Sequence, residues 1–291
     1  MNIRRSTFCL CLLVAFSFFF FASDVFAAPK KPRIKLKAKA AMLVNDSTGK
    51  ILYAKNPDRP MQPASLTKIL SLYLVHEAIS QGRIHTEDRV RISMNAQITG
   101  GSSMYLVDET EVGLDDLIKG IAVVSANDAS VAVAEHIGGS IDGFVGMMNS
   151  KAKALGMKRS HFVNPNGLPA KGQVSTARDI LKLSRAYIRD FPEALQIHSM
   201  QEYTFANITQ RNSNTLLRQR EDVDGLKTGF VRAAGFHLVA TAKRGNTRLI
   251  AVVMGEKNPK VRANDATKLL EQGFRMAAMK GKAAVSLRSR L

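Results

Sequence analysis

The alternation of apolar and polar residues along this chain predicts strands near both ends and helices in between. Residues 39–46 and 51–56 are two short apolar runs around a glycine-containing turn, which is typical of a β-hairpin. Residues 235–242 and 247–255 repeat this pattern. Between the two hairpins, apolar positions recur with the period of an amphipathic helix. The segments with helical spacing are residues 65–79, 114–137, 144–156 and 177–190, and residues 262–276 beyond the second hairpin.

This order of elements predicts an α+β fold. Both chain ends would contribute strands to one mostly antiparallel sheet flanked by helices, and a helical subdomain would be inserted between them. Within residues 114–137 we expect two helices joined by a loop. The pattern extends over residues 40–276, a length that can bury a sizeable core, and we assign this range to one domain.

Residues 1–27 have the layout of an export signal. Arg4 and Arg5 precede an uncharged apolar run over residues 8–22, and small residues lead up to Ala27, after which we expect cleavage. A retained membrane anchor is the alternative, although the run is shorter than the ~20 apolar residues of a spanning helix. Both cysteines of the chain lie in this segment, so we expect no disulfide and no thiol ligand in the mature protein.

The formal net charge of +18 favours anionic partners. For an exported protein these are wall polymers or lipid headgroups rather than nucleic acid. A basic leader, residues 28–39, is either solvated or an electrostatic tether. A basic tail, residues 277–291, is either a frayed end or a weak helix at an anionic membrane surface. We therefore expect a periplasmic protein, or one at the outer face of the cytoplasmic membrane.

The first candidate for chemistry is a serine with a lysine three residues later. A serine hydroxyl needs a nearby base before it becomes a good nucleophile. Ser65 and Lys68 lie at the predicted start of a helix, where this spacing directs both side chains to the same space. Pro63 suits the entry to that helix, and N–H groups at a helix start can stabilise negative charge. Ser150 and Lys153 have the same spacing without this context, and we interpret them as solvent-facing.

Two further motifs place polar side chains in a loop and on a strand. Ser125 and Asn127 lie in the predicted loop between two helices, where they could move a proton and hold a substrate amide, or could simply cap a helix. Lys227-Thr228-Gly229 offers a charge, a hydroxyl and a glycine that permits close approach of another backbone. An ordinary turn is the alternative for this motif. S-x-N also occurs at residues 93–95, so each motif is weak alone.

Together, the three motifs resemble a known set. S-x-x-K at a helix start, S-x-N in mid-chain and K-T-G on a late strand occur in penicillin-binding proteins and class A β-lactamases. The flanking stretches PASLTK, GSSMYL, SAND, NPNGLP, STARDI and VDGLKTG extend the likeness from Ala40 to Met276. The chain therefore resembles the low-molecular-mass penicillin-binding proteins, the serine D-Ala-D-Ala carboxypeptidases. The resemblance implies a β-lactamase/DD-peptidase-like fold and makes residues 40–276 a catalytic domain.

The resemblance also implies roles for the motif residues. Ser65 would attack the carbonyl between two D-alanines of a peptidoglycan stem peptide, and Lys68 would accept its proton. For this the pKa of Lys68 must fall, through burial and the proximity of Lys227. Ser125 would relay the proton to the leaving amine, and Asn127 would bind the substrate amide.

The remaining site residues are implied in the same way. The backbone N–H groups of the nucleophile and of Phe230 would stabilise the oxyanion. Thr228 and Arg262 are candidates to hold the terminal carboxylate of the substrate, and Lys257 and Lys260 lie close to Arg262 as alternatives. β-Lactams would acylate the same serine. We expect no organic cofactor and no metal, and none of the six histidines forms an H-E-x-x-H pair.

Other functions remain open at this stage. A DD-endopeptidase that cuts cross-links would use the same residues. Phe230 and Val231 favour it, because many carboxypeptidases have His and Thr there while some endopeptidases have phenylalanine.

A class A β-lactamase needs a glutamate for deacylation, and none lies between Glu135 and Glu193. A non-catalytic wall-binding module is disfavoured by the intact motifs. The short stretch after Phe274 leads us to expect a soluble or weakly attached protein.

Overall fold

The computed structural model describes residues 34–288, with side chains described through residue 279. The predicted export signal, the start of the leader and the last residues of the tail lie outside this range. In chain order the strands are β1 (Ala40–Asn45), β2 (Lys50–Lys55), β3 (Arg89–Arg91), β4 (Glu111–Gly113), β5 (Glu202–Phe205), β6 (Ile208–Arg211), β7 (Val223–Val231), β8 (Gly235–Arg244) and β9 (Thr247–Glu256). The helices are α1 (Lys68–Ser80), α2 (Met94–Gln97), α3 (Leu114–Lys119), α4 (Asn127–Gly138), α5 (Ile141–Ala154), α6 (Ala177–Asp190), α7 (Ala194–His198) and α8 (Pro259–Arg288).

Strands from both ends of the domain form one antiparallel five-stranded sheet in the order β2-β1-β9-β8-β7. β1 pairs with β9 along its whole length, from Ala40 opposite Met254 to Asn45 opposite Leu249. The predicted α+β fold is therefore confirmed. Both predicted hairpins lie in this sheet, and β7, which carries the K-T-G motif, is its edge strand.

Helices cover both faces of the sheet. β1 and β9 are buried at successive positions, so their sequences are continuously apolar and do not alternate. One face packs against α8 through a cluster that includes Leu43, Val253 and Leu270. The other face packs against the helical region through a cluster that includes Met42 and Val252.

α1 passes through the middle of the helical region. Its residues 68–75 are all buried, and it contacts α4, α5 and α6. A helix that is surrounded by protein has no need of a polar face, which explains why this segment is apolar all round. The one long charged side chain in its first turn, Lys68, is consequently directed into the domain interior.

The helix–loop–helix expected over residues 114–137 is present. α3 continues into a π-helical turn, Gly120–Val124, and α4 begins at Asn127. Between them Ser125 adopts a left-handed backbone with φ of 67°. The Ala126 N–H closes the turn by donating to the Gly120 carbonyl oxygen at 3.0 Å. The helical path therefore breaks at the S-x-N motif and turns its side chains out of the helix packing.

Several short elements have no counterpart in the sequence prediction. The pair β3 and β4 and the hairpin β5–β6 form two separate two-stranded sheets, and α2 and α7 span only four and five residues. Elements of this length contain too few residues to display a period.

Two boundaries assigned from the sequence fall within continuous structure. In residues 34–39 of the leader, Leu36 and Ala38 are buried. The Asp265 carboxylate on α8 accepts hydrogen bonds from the backbone N–H groups of Lys37 and Ala38 at 2.6 and 3.2 Å. This part of the leader is packed on the domain through alternate residues and its backbone, while the side chains of Lys35, Lys37 and Lys39 are exposed. α8 likewise continues past residue 277 to Arg288. Among the described residues, no helix combines the length and the apolarity needed to cross a membrane.

Candidate active site

A cavity of about 510 Å³ lies where β7, the turn before α1 and the loop before α4 meet. The predicted site residues that line it are Ser65, Ser125, Asn127, Thr228, Gly229, Phe230 and Arg262. Lys68 and Lys227 are buried in its wall. The fold thus brings all the predicted site residues from both ends and the middle of the domain to one place.

Ser65 lies in a 3₁₀ turn, Ala64–Thr67, that leads directly into α1. Ala64 has a left-handed backbone with φ of 51°, a conformation that costs a residue with a side chain about 1–3 kcal/mol. Gly167 packs so closely against this turn that no side chain would fit at its position: a Cβ there would lie 2.0 Å from the Ala64 carbonyl oxygen. The tight packing holds the half-buried Ser65 at the surface of the cavity.

The side chain of Lys68 is fully buried, and its Nζ has three neighbours. Nζ lies 3.1 Å from Ser65 Oγ, 2.6 Å from Asn127 Oδ1 and 2.6 Å from the Asn166 carbonyl oxygen. A neutral amine has two hydrogens and one lone pair. Since the two amide oxygens can only accept hydrogen bonds, they take both hydrogens of a neutral Lys68. The lone pair then remains for the Ser65 hydroxyl.

Electrostatics favour this neutral form. Burial lowers the pKa of Lys68 well below its ordinary value, Lys227 lowers it further, and Asp128 acts in the opposite direction. The pKa of Lys227 is itself lowered to about 7, chiefly by burial and then by Arg262. Two buried lysines with lowered pKa values, one of them 3.1 Å from a serine hydroxyl, form the kind of cluster that is found at catalytic sites.

Asn127 connects three parts of the site. While its Oδ1 accepts from Lys68, its Nδ2 donates to the Gly100 carbonyl oxygen at 2.6 Å. Its backbone N–H donates to the Ser102 carbonyl oxygen at 2.7 Å. Gly101 has φ of +89°, and a Cβ there would lie 2.6 Å from Asn127 Nδ2, so a glycine is required. Asn127 therefore orients the lysine amine and fixes the loop that borders the cavity, in addition to its predicted contact with substrate.

Two further residues support the site without having been singled out from the sequence. The buried carboxylate of Asp128 accepts from the Ser103 hydroxyl at 2.6 Å and from the backbone N–H groups of Met104 and Leu106, which fixes the same loop. Asn166 contributes its backbone carbonyl oxygen to Lys68. Every residue has a backbone carbonyl, so the side-chain sequence cannot identify this contact. Only the N-P-N-G sequence around Asn166, which is typical of a turn, indicates an irregular backbone at this position.

β7 places the K-T-G motif against the turn that carries Ser65. A Cβ at Gly229 would lie 3.2 Å from each of three atoms: Ala64 Cβ, the Pro63 carbonyl oxygen and Ser65 N. The glycine therefore lets strand and turn approach closely. Because β7 is the edge of its sheet, its outer backbone groups face this turn instead of another strand. Lys227 is almost fully buried, and its Nζ donates to the Thr228 carbonyl oxygen at 3.3 Å.

Arg262, near the start of α8, reaches the cavity from the far side. Its Nη2 donates to the Ser213 carbonyl oxygen at 2.8 Å. Its Nε is buried without a hydrogen-bond partner in the described part of the chain, and burial lowers its pKa to about 10. A buried N–H group without a partner is rare in proteins, and this one is available to an acceptor from a water or a ligand in the cavity. The alternatives Lys257 and Lys260 are exposed and do not line the cavity.

Phe230 gives the cavity an aromatic wall. Its side chain is 52% exposed and stacks on Phe236, with ring centroids 4.2 Å apart and planes inclined by 26°. The stacked pair offers an apolar contact surface to a ligand in the cavity.

The duplicate motifs lie away from this cavity. Ser150 and Lys153 are exposed on α5. Ser93 caps α2, since its Oγ accepts from the Ala96 N–H at 3.0 Å, and it also donates to Glu135 at 2.7 Å. Over residues 34–288, no group of three or more His, Cys, Asp or Glu side chains is arranged to hold a metal ion.

Another cavity of similar size, about 560 Å³, lies between α6 and the β1–β2 hairpin. Its basic side chains are already paired: Arg178 with Asp58 and Arg185 with Asp46. Without a free charge or an activated nucleophile, this cavity offers no comparable chemistry.

Comparison with known proteins supports the resemblance seen in the sequence. A family model described as D-alanyl-D-alanine carboxypeptidase matches residues 25–258. The chain is similar to the D-alanyl-D-alanine carboxypeptidase DacC of Escherichia coli, with 42% identity over 265 residues, which cover 88% of this chain and 66% of DacC. It is also similar to the D-alanyl-D-alanine endopeptidase of Escherichia coli, with 32% identity, covering 91% of this chain and 87% of that protein.

Solved structures show the same relationship. Penicillin-binding protein 5 of Haemophilus influenzae superimposes with a TM-score of 0.82 at 42% identity, covering 84% of this chain and 72% of that chain. Penicillin-binding protein D2 of Listeria monocytogenes, in a cefotaxime-bound form, gives a TM-score of 0.76 at 32% identity, covering 84% and 99%. The predicted β-lactamase/DD-peptidase-like fold is thus confirmed. The chain spans about two thirds of the length of DacC.

Proposed function

We propose, from the premise that this chain belongs to the D-alanyl-D-alanine carboxypeptidase family, that it is a serine DD-peptidase. It removes the terminal D-alanine from peptidoglycan stem peptides through an acyl-enzyme on Ser65. The observation that carries the proposal is the 3.1 Å contact between Lys68 Nζ and Ser65 Oγ, at a lysine whose pKa is strongly lowered. An amine in this position can act as the base that a serine nucleophile requires.

In the acylation step, neutral Lys68 takes the hydroxyl proton while Ser65 Oγ bonds to the carbonyl carbon between the two D-alanines. The carbonyl oxygen becomes an oxyanion, and the N–H groups of Ser65 and Phe230 are its donors. The hydrogen bonds from Lys68 to Asn127 and Asn166 support this step, because they direct the lone pair to the serine.

In the second half of acylation, the bond to the leaving nitrogen breaks. Ser125, whose side chain lines the same cavity, passes the proton of the Lys68 ammonium to that nitrogen, and D-alanine departs. Water then attacks the ester on Ser65, with Lys68 again as base, and the free enzyme returns. None of these steps needs a metal or an organic cofactor.

The terminal carboxylate of the substrate is held by Arg262 and Thr228. The buried Arg262 Nε lacks a partner in the described structure, and a carboxylate oxygen supplies the missing acceptor. Thr228 lines the same cavity. A bound carboxylate also stabilises the protonated form of Lys227, whose pKa of about 7 leaves it only partly charged in the free enzyme.

β-Lactams are proposed as covalent inhibitors of the same serine. The similar penicillin-binding protein D2 of Listeria monocytogenes has been solved with bound cefotaxime. Here, Ser65, Lys68, Ser125 and the K-T-G strand converge on one cavity in the way that such an acylation requires.

A second candidate function is a DD-endopeptidase that cuts peptidoglycan cross-links with the same catalytic residues. The observation that favours it is the exposed Phe230 stacked on Phe236. This apolar wall lies directly after K-T-G and suits a leaving group with a long alkyl chain better than a bare alanine. The similarity to the Escherichia coli endopeptidase points the same way, at a lower identity.

We also propose that the protein is exported to the periplasm, with residues 1–27 as its cleaved signal, residues 40–276 as the catalytic domain and residues 277–291 as a basic tail. The net charge of +18 supports contact with anionic wall polymers and weak contact with an anionic membrane surface. Nucleic acid is not a proposed partner. Fractionation of cells that express the full chain, with mass spectrometry of the mature N-terminus, tests the assignment. A mature protein that begins at Met1 and remains in the cytoplasm contradicts it.

Mass spectrometry of products from defined muropeptides tests the proposed function. The purified protein is incubated with a soluble pentapeptide and with a cross-linked dimer. Release of free D-alanine from the pentapeptide identifies the carboxypeptidase, and loss of the dimer identifies the endopeptidase. Ser65→Ala should abolish both products and covalent labelling by a fluorescent penicillin. A folded wild-type protein that is neither labelled nor active contradicts the proposal and leaves the non-catalytic wall-binding module.

A further inference from the structure

A buried histidine lies directly behind the K-T-G strand. His198 is the last residue of α7 and is 1% exposed. Its Nδ1 lies 2.9 Å from the Leu226 carbonyl oxygen, and its Nε2 lies 3.1 Å from the Tyr187 hydroxyl on α6. The rings of His198 and Tyr187 are perpendicular, with centroids 5.6 Å apart. The proposed mechanism does not use this residue.

The surroundings fix the protonation of this imidazole. The Leu226 carbonyl oxygen can only accept, so Nδ1 carries the hydrogen, and Nε2 then accepts from the Tyr187 hydroxyl. Burial, together with Lys227 and His76, lowers the pKa of His198 to about 3, which favours the neutral ring. The result is a fixed chain of donors from Tyr187 O–H to Nε2 and from Nδ1–H to the Leu226 carbonyl.

Strand pairing gives the backbone around the Leu226 carbonyl only limited support. Leu226 directly precedes Lys227, and the regular pairing of β7 with β8 is interrupted between Val223 and Gly225, just before this point. β7 is also the edge strand of its sheet and has no strand on its other side. Side chains take over this support, since Asn214 Nδ2 donates to the Gly225 carbonyl oxygen at 3.1 Å and His198 donates to the next carbonyl.

α7 also connects the two walls of the cavity. It contacts β7 on one side and the π-helical turn that leads to Ser125 on the other. A shift of His198 therefore changes the position of K-T-G relative to the loop that carries the S-x-N motif.

We propose that His198 is a positioning residue for catalysis. It fixes the Leu226 carbonyl through Nδ1–H and thereby determines the position of Lys227-Thr228-Gly229 relative to Ser65. The inference rests on the proposed function of the same site. It assigns the residue no contact with substrate and no proton transfer. Its effect is expected on the rate of acylation more than on the binding of the acyl donor, since small displacements of catalytic groups are costly.

The test is the rate of acylation by a fluorescent penicillin, measured for each variant at a temperature where circular dichroism shows it folded. His198→Asn retains an N–H near the position of Nδ1 and should acylate within about threefold of the wild type. His198→Phe keeps a ring but loses the donor and should acylate about tenfold or more slowly. Tyr187→Phe leaves the Nδ1 bond intact and should lower the melting temperature with little effect on the rate.

His76→Phe is the matched control. His76 belongs to the same aromatic cluster, with Tyr187 and Phe191 beside it, and has no hydrogen bond to β7, so the same substitution there should leave acylation unchanged. Equal rates for His198→Asn and His198→Phe overturn the proposal, because a purely structural residue would not distinguish them. If His198→Phe does not fold, His198→Gln, which displaces the donor from the Nδ1 position, takes its place. A wild type that is not labelled overturns the proposed function instead of the positioning role.

Discussion

The close approach of β7 to the 3₁₀ turn that carries Ser65 yields the sharpest prediction, the effect of Gly229→Ala. Residue 229 does not need a left-handed backbone, so alanine is compatible with its conformation, and the effect is steric alone. The added Cβ would lie 3.2 Å from Ala64 Cβ, the Pro63 carbonyl oxygen and Ser65 N. Since the optimum between carbon atoms is about 3.5–4.0 Å, β7 and the 3₁₀ turn must separate by a few tenths of an ångström.

This separation acts on the proposed oxyanion donors. One of them, Ser65 N, belongs to the turn, and the other, the N–H of Phe230, belongs to the strand, so the two move apart together. Complete loss of one oxyanion donor costs about 10²–10³ in rate, and a 1 Å displacement can cost about 10². For a smaller displacement we expect acylation to slow by about 10-fold to 100-fold, equivalent to about 1.4–2.7 kcal/mol in the barrier.

The assay is the second-order rate constant for acylation by a fluorescent penicillin, together with kcat/KM on a soluble pentapeptide. Gly146→Ala is the control, because a Cβ at this position of α5 meets nothing within 4 Å. It should leave both rates unchanged and stabilise the helix by up to about 1 kcal/mol. If Gly229→Ala acylates within twofold of the wild type while it remains folded, the close approach of strand and turn is not what positions the donors, and the reasoning is refuted.

Three further predictions concern charge. Arg262→Gln should raise the pKa of Lys227, since the arginine helps to lower it to about 7. The loss of kcat/KM at alkaline pH should therefore move to higher pH, and KM should rise. An unshifted pH profile contradicts this coupling between Arg262 and Lys227. Glu256 is buried, and its pKa is raised to about 7 by burial and by the neighbouring carboxylate of α8. Its contribution to stability is therefore fully present below pH ~4.5 and is lost as the pH rises through about 7. Urea unfolding should show that Glu256→Gln flattens this dependence, and an equal slope in the variant would exclude Glu256 as its source. Ser150→Ala and Lys153→Ala should label with penicillin at the wild-type rate, and a loss of labelling would mean that the exposed S-x-x-K takes part in the chemistry.

The sequence was sufficient to predict the fold and the identity of the groups around the cavity, because both depend on patterns along the chain: the spacing of apolar residues and the order of short motifs. The apolar runs at residues 39–46 and 247–255 predicted strands, and these two segments pair in the centre of the sheet. The motif order predicted which hydroxyl, amines and amide would converge. Their roles in catalysis remain proposals.

The sequence was insufficient where the site is built from backbone atoms or from contacts between distant segments. The third neighbour of Lys68 is the carbonyl oxygen of Asn166, which any residue could supply. Asp128 fixes the cavity loop by accepting hydrogen bonds from one hydroxyl and two backbone N–H groups of residues 103–106. These residues form an irregular loop, whose sequence has no periodic pattern that could reveal such contacts. The docking of residues 34–39 through Asp265 was also invisible, because the basic side chains of this segment indicate solvent while its backbone N–H groups make the contact.

The position of β9 has a consequence for the order in which the molecule can assemble. β9 is the last strand in the described part of the chain and lies in the middle of the sheet, between β1 and β8. During synthesis from the N-terminus, β1 can pair only with β2 until β9 has emerged, and a two-stranded sheet is at best marginally stable in water without further packing. β9 therefore joins the N-terminal hairpin and the strand that carries K-T-G into one sheet only when almost the whole domain is present, so the walls of the cavity are held in their final positions only late in folding.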